Sequence, residues 1–288
     1  MQPSPNQALW LALGAVLLWA SLSALGVSLA HVPPFLLTGL GLLVGGIMAL
    51  PMNGLKPSHW RVPLPLLALG IYGLFGFHFL LFLSLRLAPP VATNLINYLW
   101  PLGIVVMAPL FLPRVTWRWS FAGAGLLGFA GAGLAIVSGS RAQTAGNTET
   151  VWLGYALALG SAWIWASYSL LSKRATQLTT GHIGTFCMCS AGLALLCHAL
   201  LEPATSLSLS DLWRIALLGL GPLGGSFFLW SMALRFGDAR RIGLLAFLTP
   251  LLSTVMLLWQ QGQALTWHIA LAAALIVAGA WVGHKAQA

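Results

Sequence analysis

The sequence predicts an all-α, polytopic membrane protein with ten transmembrane helices arranged as two inverted five-helix repeats. Hydrophobic residues make up 59% of the 288 positions and charged residues only 6%, against about 25% charged residues in a soluble domain. Apolar stretches that approach the ~20 residues needed to cross a bilayer follow one another along the whole chain. The two halves of the chain also resemble each other.

Ten apolar segments fill nearly the whole chain, so no separate soluble domain is expected. Their connections are short and carry turn residues such as Pro33-Pro34 and Pro89-Pro90. No basic residue precedes the first segment, which indicates a permanent helix rather than a cleaved signal peptide. The predicted spans are Ala8–Ala30, Phe35–Met52, Leu64–Leu85, Val91–Leu112, Trp117–Val137, Trp152–Leu171, Ile183–Leu201, Leu212–Leu234, Ile242–Trp259 and Trp267–Gly283.

The longest connection, Ser138–Val151, is polar and divides the chain nearly in half. It predicts a first five-helix repeat over residues 1–145 and a second over residues 146–288, which together form one integrated membrane domain. Because a repeat of five spans is odd, the second copy must enter the membrane from the opposite side. Inverted repeats of this kind are characteristic of secondary transporters that work by alternating access.

The internal repeat is visible in matching segments. Leu11–Ser23 (LALGAVLLWASLS) matches Leu157–Ser169 (LALGSAWIWASYS) at an offset of 146 residues. Tyr98–Leu102 (YLWPL) matches Phe247–Leu251 (FLTPL) at an offset of 149. A Gly-Ala pair near the end of span five matches another near the end of span ten at an offset of 148. Matches in one order at nearly one offset are hard to explain by chance similarity between apolar helices.

The basic residues predict the orientation of the chain. If the N-terminus is cytoplasmic, ten of the thirteen Lys and Arg side chains lie on the inside, and only Arg86, Arg141 and Arg214 lie outside. Short cytoplasmic loops carry an excess of Lys and Arg. The sequence therefore predicts a membrane protein with both termini in the cytoplasm. The inside residues are Lys56, Arg61, Arg114, Arg118, Lys173, Arg174, Arg235, Arg240, Arg241 and Lys285.

Several other classes of protein are disfavoured. The net charge of +9 does not indicate nucleic acid binding, because the basic residues form no soluble patch. The three cysteines show no metal-ligand spacing. Two Gly-x-Gly-x-x-Gly patterns, which begin at Gly123 and Gly219, lie inside apolar spans and lack the strand–turn–helix context of a nucleotide site. We expect neither a metal nor a cofactor, and an intramembrane enzyme is only a distant alternative.

Residue patterns in spans four, six and nine resemble a known family. Spans four and nine each contain a proline, Pro101 and Pro250, in the five-plus-five arrangement. Span four also contains the segment Asn97–Pro101 (NYLWP), and span six contains Trp163–Tyr168 (WIWASY). The whole chain thereby resembles the EamA-type transporters of the drug/metabolite transporter superfamily, and within it the bacterial aromatic amino acid exporters. The resemblance implies a protein of the bacterial inner membrane that exports amino acids from the cytoplasm, with a drug or another metabolite as the alternative substrate.

Polar side chains within the spans are candidates for substrate binding. Asn94, Asn97 and Tyr98 share one face of span four beside the proline, and they either line a cavity or bond neighbouring helices. His78 is the most central ionisable side chain. It is either a packing residue or a functional one, as ionisable groups inside membranes often are.

Aromatic side chains complete the predicted binding site. Trp100 and Trp163 lie mid-span, and Tyr168 and Phe227 add aromatic surface, although most tryptophans in such chains belong to interface belts. Pro101 and Pro250 are predicted hinges, since an interior proline removes a backbone hydrogen bond; a tolerated kink is the alternative.

The predicted spans contain no Asp, Glu, Lys or Arg near their centres. A carboxylate proton relay is therefore excluded, and transport is either uncoupled, which we favour, or linked to protons through His78. The expected partners are a small-molecule amino acid and the lipid bilayer, with the protein a monomer or a weak homo-oligomer.

Overall fold

The described residues of the computed structural model are 5–54, 56–111, 119–142, 148–175, 177–236, 245 and 248–287. Within these ranges every regular element is helical, so the predicted all-α class is confirmed for them. The α-helices are α1 (Pro5–Ala20), α2 (Leu22–Ser28), α3 (Pro34–Ile47), α4 (Leu50–Asn53), α5 (Leu64–Ile71), α6 (Phe77–Leu87), α7 (Pro90–Asn97), α8 (Trp100–Phe111), α9 (Trp119–Ala142), α10 (Thr148–Arg174), α11 (Thr180–Leu201), α12 (Leu209–Leu220), α13 (Ser226–Phe236), α14 (Leu248–Gln260) and α15 (Trp267–Gln287).

Four helical stretches are long and apolar enough to cross a membrane: Gln7–Ser28, Leu64–Leu87, Gly181–Leu201 and Leu209–Trp230. Shorter apolar helices accompany them. The outer faces of the bundle are apolar, since Trp119 is 86% and Leu126 is 73% exposed. Contiguous exposed apolar surface of this kind is unfavourable in water and favourable in a bilayer. The protein is therefore a multi-pass membrane protein.

Prolines and extra residues divide the helices. Pro34 and Pro90 begin α3 and α7, the position at which a missing N–H leaves no intrahelical bond unmade. Two π-helical turns, Tyr72–Gly76 and Gly221–Gly225, interrupt the third and eighth predicted spans. A π turn holds one residue more than the α-helix around it and is common at functional sites.

The long polar connection between the halves is shorter than predicted. The predicted loop Ser138–Val151 overlaps α9, which continues to Ala142, and α10, which begins at Thr148. Glu149 lies in the first turn of α10, where a carboxylate interacts favourably with the helix dipole. The predicted repeat boundary at residues 145 and 146 lies outside the described residues, as do Arg114, Arg118, Arg240 and Arg241.

The buried side chains form two main hydrophobic cores. The first joins α2, α3, α5, α6, α11 and α12 around residues such as Leu37, Leu81 and Phe186. The second joins α7 to α10 with α14 and α15 around Leu95 and Ile276. Each core draws helices from both halves of the sequence, so the halves are interleaved rather than side by side. The space between the two cores holds the candidate site.

Candidate functional site

The interruptions in the third, fourth and eighth predicted spans meet near the middle of the bundle. Phe77 and His78 follow directly on the first π turn, and Phe227 follows closely on the second. The fourth span breaks at Tyr98, between α7 and α8. A helix interruption frees backbone groups and redirects side chains, and within a membrane it is tolerated only where it faces protein or a cavity.

These interruptions border a central cavity, whose free volume is about 30 Å³ in this conformation. That space admits water molecules but not a whole amino acid. None of its described lining residues is Asp, Glu, Lys or Arg. The lining residues are Trp19, Leu22, Phe77, His78, Asn97, Tyr98, Trp100, Trp165, Pro222, Phe227 and Thr249.

Trp165 on α10 connects the aromatic part of the cavity wall. Its ring centroid lies 4.9 Å from that of Phe77, 5.7 Å from Phe227 and 6.5 Å from Trp100. Trp19 continues the surface, 6.3 Å from Phe227. These separations fall in the range in which aromatic rings attract each other beyond simple burial. The cavity therefore offers faces and edges of rings to a bound molecule.

His78 lies in the cavity wall and is 1% exposed. Its Nδ1 is 2.7 Å from the carbonyl oxygen of Leu74, one turn earlier. A carbonyl can only accept, so Nδ1 carries the hydrogen and donates. Proton uptake or release by this imidazole is then left to Nε2.

The polar residues of α7 have two different environments. Asn97 and Tyr98, which directly follows α7, line the cavity. The Oδ1 atom of Asn97 accepts a hydrogen bond of 2.8 Å from Ser161 Oγ. The Tyr98 hydroxyl donates to the backbone carbonyl of Trp19 at 3.4 Å. Asn94, one turn earlier, does not line it. The Asn94 Oδ1 atom instead accepts from the hydroxyls of Ser23 and Ser253, which joins α2, α7 and α14.

The predicted aromatic residues also separate. Trp100 and Phe227 line the cavity. Trp163 is 55% exposed and lies in a different, apolar groove with Leu159 and Phe129. Tyr168 is absent from the lining but packs on Trp165, with ring centroids 5.4 Å apart. The structure thus brings together five of the eight predicted binding residues, and their role in binding stays a prediction.

The predicted hinge prolines lie near the start of two helices. Pro101 follows the break at Tyr98 by three residues and is the second residue of α8. Pro250 is the third residue of α14 and is buried. Each occupies a position where its missing N–H costs little, because the first turn has no intrahelical acceptor. An interior proline leaves the carbonyl four residues earlier without its hydrogen bond. For Pro250 that carbonyl belongs to Ala246, which lies outside the described residues.

Six lining residues were not among the predicted site residues: Trp19, Leu22, Phe77, Trp165, Pro222 and Thr249. The internal repeat contained a signal for two of them. Trp165 matches Trp19 at the offset of 146, and Thr249 matches Trp100 at the offset of 149. Lining residues therefore tend to occupy matching positions in the two halves of the chain.

A bundle of apolar helices around an uncharged cavity, with helices broken at the cavity wall, is typical of membrane transport proteins. The family model of the EamA-like transporter family matches residues 6–137 and again residues 152–282. The chain belongs to the EamA-like transporter family, and the family domain is duplicated in it.

Individual proteins are also similar to the chain. The aromatic amino acid exporter YddG of Ancylobacter novellus is 38% identical over 271 residues, which cover 93% of each chain. Proteins of the same name from Salmonella typhimurium and Escherichia coli are 26% and 25% identical, over 87% and 84% of each chain. A protein of known crystal structure is 37% identical and matches with a TM-score of 0.74 over 99% of this chain and 98% of that one.

Proposed function

We propose that the protein is a secondary transporter that exports aromatic and other neutral amino acids from the cytoplasm by alternating access, without coupling to a proton gradient. The observation that carries the proposal is the central cavity, which combines six aromatic rings with amide, hydroxyl and imidazole groups and has no formal counter-charge. The 38% identical relative that is named an aromatic amino acid exporter supports the substrate class.

The cavity wall suggests how a zwitterion is held. The substrate ammonium interacts with the faces of Trp100 and Trp165, an attraction of about 0.5–2 kcal/mol. The carboxylate accepts a hydrogen bond from the Asn97 amide, which lies at the same wall. The Tyr98 hydroxyl adds a second bond when its single hydrogen leaves the long 3.4 Å contact with the Trp19 carbonyl. Without a salt bridge, binding is weak. Weak binding suits an exporter that works at high cytoplasmic concentrations of substrate.

The aromatic side chain of the substrate packs against other rings of the cavity wall, such as Phe77 and Phe227. Each ring contact of this kind is worth about 0.5–1.5 kcal/mol.

Ten spans in two inverted repeats, residues 1–145 and 146–288, provide the alternating-access machinery. The described helices overlap all ten predicted apolar segments, and the family domain occurs twice. Helix packing supports the symmetry: α1 packs on α13, and the corresponding pair, α10 and α6, also packs together. The two π turns lie 149 residues apart, at the offset of the sequence repeat.

Transport requires the cavity to enlarge, because its free volume of about 30 Å³ is too small for an amino acid. A break precedes Pro101, and Pro250 lies near the start of the related helix α14. Both can act as hinges where a few backbone angles absorb the movement. Rocking of one repeat against the other then opens the cavity first to one side and then to the other.

The bacterial inner membrane, with both termini in the cytoplasm, is the proposed location. The distribution of basic residues supports this orientation, with ten of thirteen on one side. The transported amino acid and the bilayer are the proposed partners. The protein is proposed to act as a monomer or weak homo-oligomer, without nucleic acid, metal or cofactor.

A flux panel in proteoliposomes tests the function. Efflux of phenylalanine, tryptophan, threonine, methionine and the drug-like cation ethidium is measured for the wild type and for Tyr98→Ala, Trp165→Ala and Trp163→Ala. We expect saturable efflux of the aromatic amino acids. The two cavity variants should lose about tenfold in kcat/KM, equivalent to ~1.4 kcal/mol.

Trp163→Ala is the matched control, because Trp163 lies on the same helix but outside the cavity; its efflux should stay near that of the wild type. Gel filtration of each variant shows whether it remains folded. If no amino acid moves in any condition while ethidium does, the amino acid proposal is wrong. An exporter of drugs or other metabolites then takes its place.

A further inference from the structure

A second, larger cavity of about 680 Å³ lies between the helix pair α1–α2, α12 and α14. We call it the outer cavity, because Ser28, Arg214 and Gln260, which border it, lie at helix ends on the side opposite the cytoplasm in the proposed orientation. Small-molecule sites commonly measure about 300–1,000 Å³, so an amino acid fits. Pro222 lines both cavities.

Arg214 is the only Asp, Glu, Lys, Arg or His among the described residues that line the outer cavity. The side chain is partly buried, and its Nη1 donates to the carbonyl oxygen of Ser28 at 3.4 Å. A guanidinium has five N–H donors, and this contact uses one of them. The remaining donors and the positive charge can therefore serve a ligand.

The nearby carboxylates are engaged with other groups. Asp211, one turn earlier on α12, lies 3.1 Å from His31 Nε2 and accepts a bond of 2.6 Å from Ser208. Glu202 accepts from the backbone of Phe35 and pairs with His198. Among the residues that the structure describes, no carboxylate lies within ion-pair distance of Arg214. No described carboxylate therefore neutralises its charge.

We propose that Arg214 binds the α-carboxylate of the amino acid in the outer cavity, as a second substrate site on the exit path. The inference rests on the proposed function. A guanidinium holds a carboxylate through two parallel hydrogen bonds. Trp259, which is 85% exposed, and Met256 line the same cavity and supply apolar surface for the substrate side chain. An aromatic amine without a carboxylate gains nothing from Arg214.

Counterflow in right-side-out membrane vesicles tests the site from the outer face. Vesicles loaded with unlabelled phenylalanine take up labelled phenylalanine, and the external half-saturation concentration is measured. Phenylethylamine, which lacks the carboxylate, is titrated as a competitor. Arg214→Gln should raise the half-saturation concentration for phenylalanine about tenfold, the loss expected for a charge-assisted hydrogen bond, with little change in inhibition by phenylethylamine. Arg214→Lys should retain most of the affinity.

Arg86→Gln is the matched control, since Arg86 is exposed at the end of α6 and is not among the residues that line the outer cavity; it should behave as the wild type. Equal half-saturation concentrations for wild type and Arg214→Gln overturn the inference. An Arg214 effect that appears only in vesicles containing phosphatidylglycerol also overturns it, because the ligand is then a lipid headgroup. If the wild type moves no amino acid at all, the proposed function itself fails.

Discussion

Trp165 has ring contacts with Phe77, Trp100 and Phe227, which belong to three different predicted spans. Trp163, two residues earlier, points elsewhere because two residues rotate a helix by about 200°. Position along the span does not separate the two tryptophans, since both lie near its middle. The internal repeat distinguishes the two tryptophans, because Trp165 matches the cavity residue Trp19 whereas Trp163 matches Leu17.

The binding residues of α7 show a second limit of sequence reasoning. Asn94 and Asn97 lie on one helical face, and both were predicted to bind substrate. In the structure only Asn97 lines the cavity, because Ser23 and Ser253 hold the Asn94 amide oxygen between helices. Spacing predicts which side chains share a face, but it does not predict which neighbouring helix supplies a hydroxyl.

At the residue scale, we predict that His78 does not couple transport to protons. Its Nδ1 is committed to the Leu74 carbonyl, and the described lining of the cavity contains no carboxylate to relay a proton. An imposed pH gradient should therefore not drive accumulation of labelled phenylalanine in proteoliposomes. The same liposomes with a protonophore are the control. Uphill uptake in the wild type that His78→Ala abolishes would contradict uncoupled export.

At the scale of helices, α9 and α15 form a close pair through small residues. A Cβ atom at Gly131 would lie 2.8 Å from the backbone oxygen of Ala272, and one at Gly279 would lie 2.8 Å from that of Ala124. The two contacts correspond to each other through the internal repeat. Gly131 matches Gly279 and Ala124 matches Ala272, each at an offset of 148 residues. Close packing of small residues is a common way for membrane helices to associate.

We predict opposite effects for two glycines of α9. Gly131→Ala should lower stability by about 1–3 kcal/mol, because the added methyl group meets a backbone oxygen and forces the helices apart. Gly133→Ala meets nothing within 4 Å and should raise stability by up to about 1 kcal/mol through helix propensity. Thermal unfolding in detergent measures both. If Gly131→Ala melts at or above the wild-type temperature, the described contact between α9 and α15 is wrong.

The sequence predicted the helices better than their interruptions. Proline pairs marked the starts of α3 and α7, and the π turn of the eighth span contains Pro222. The π turn at Tyr72–Gly76 contains no proline. It depends on a neighbouring helix instead, since a Cβ at Gly73 would come within 2.3 Å of the Tyr168 ring. Only the packed structure contains that information.

At the scale of the whole molecule, each hydrophobic core combines helices from both halves of the chain. The apolar composition predicted a membrane protein, and the matched segments predicted a duplication, which the two family matches support. Long-range packing determines how the helices of the two halves interleave and where the cavities form. A single apolar segment does not encode that packing.

The proposed topology predicts the behaviour of reporter fusions. Green fluorescent protein fused after Lys285 should fluoresce, and alkaline phosphatase at the same position should be inactive, because the C-terminus is proposed to be cytoplasmic. Fusions in the connection after Thr205, between α11 and α12, should give the reverse result. Active phosphatase at the C-terminus would overturn the orientation and place Arg214 on the cytoplasmic side.

The two π turns have a consequence for the history of the chain. Each adds one residue to its helix and turns everything after it by about 100°, which sets the direction of His78 in one half and Phe227 in the other. The two π turns lie 149 residues apart, which is the offset of the sequence repeat. A single insertion in an ancestral half-length gene, before its duplication, therefore accounts for both. The matching positions now differ in chemistry, since His78 carries an imidazole and Phe227 a phenyl ring.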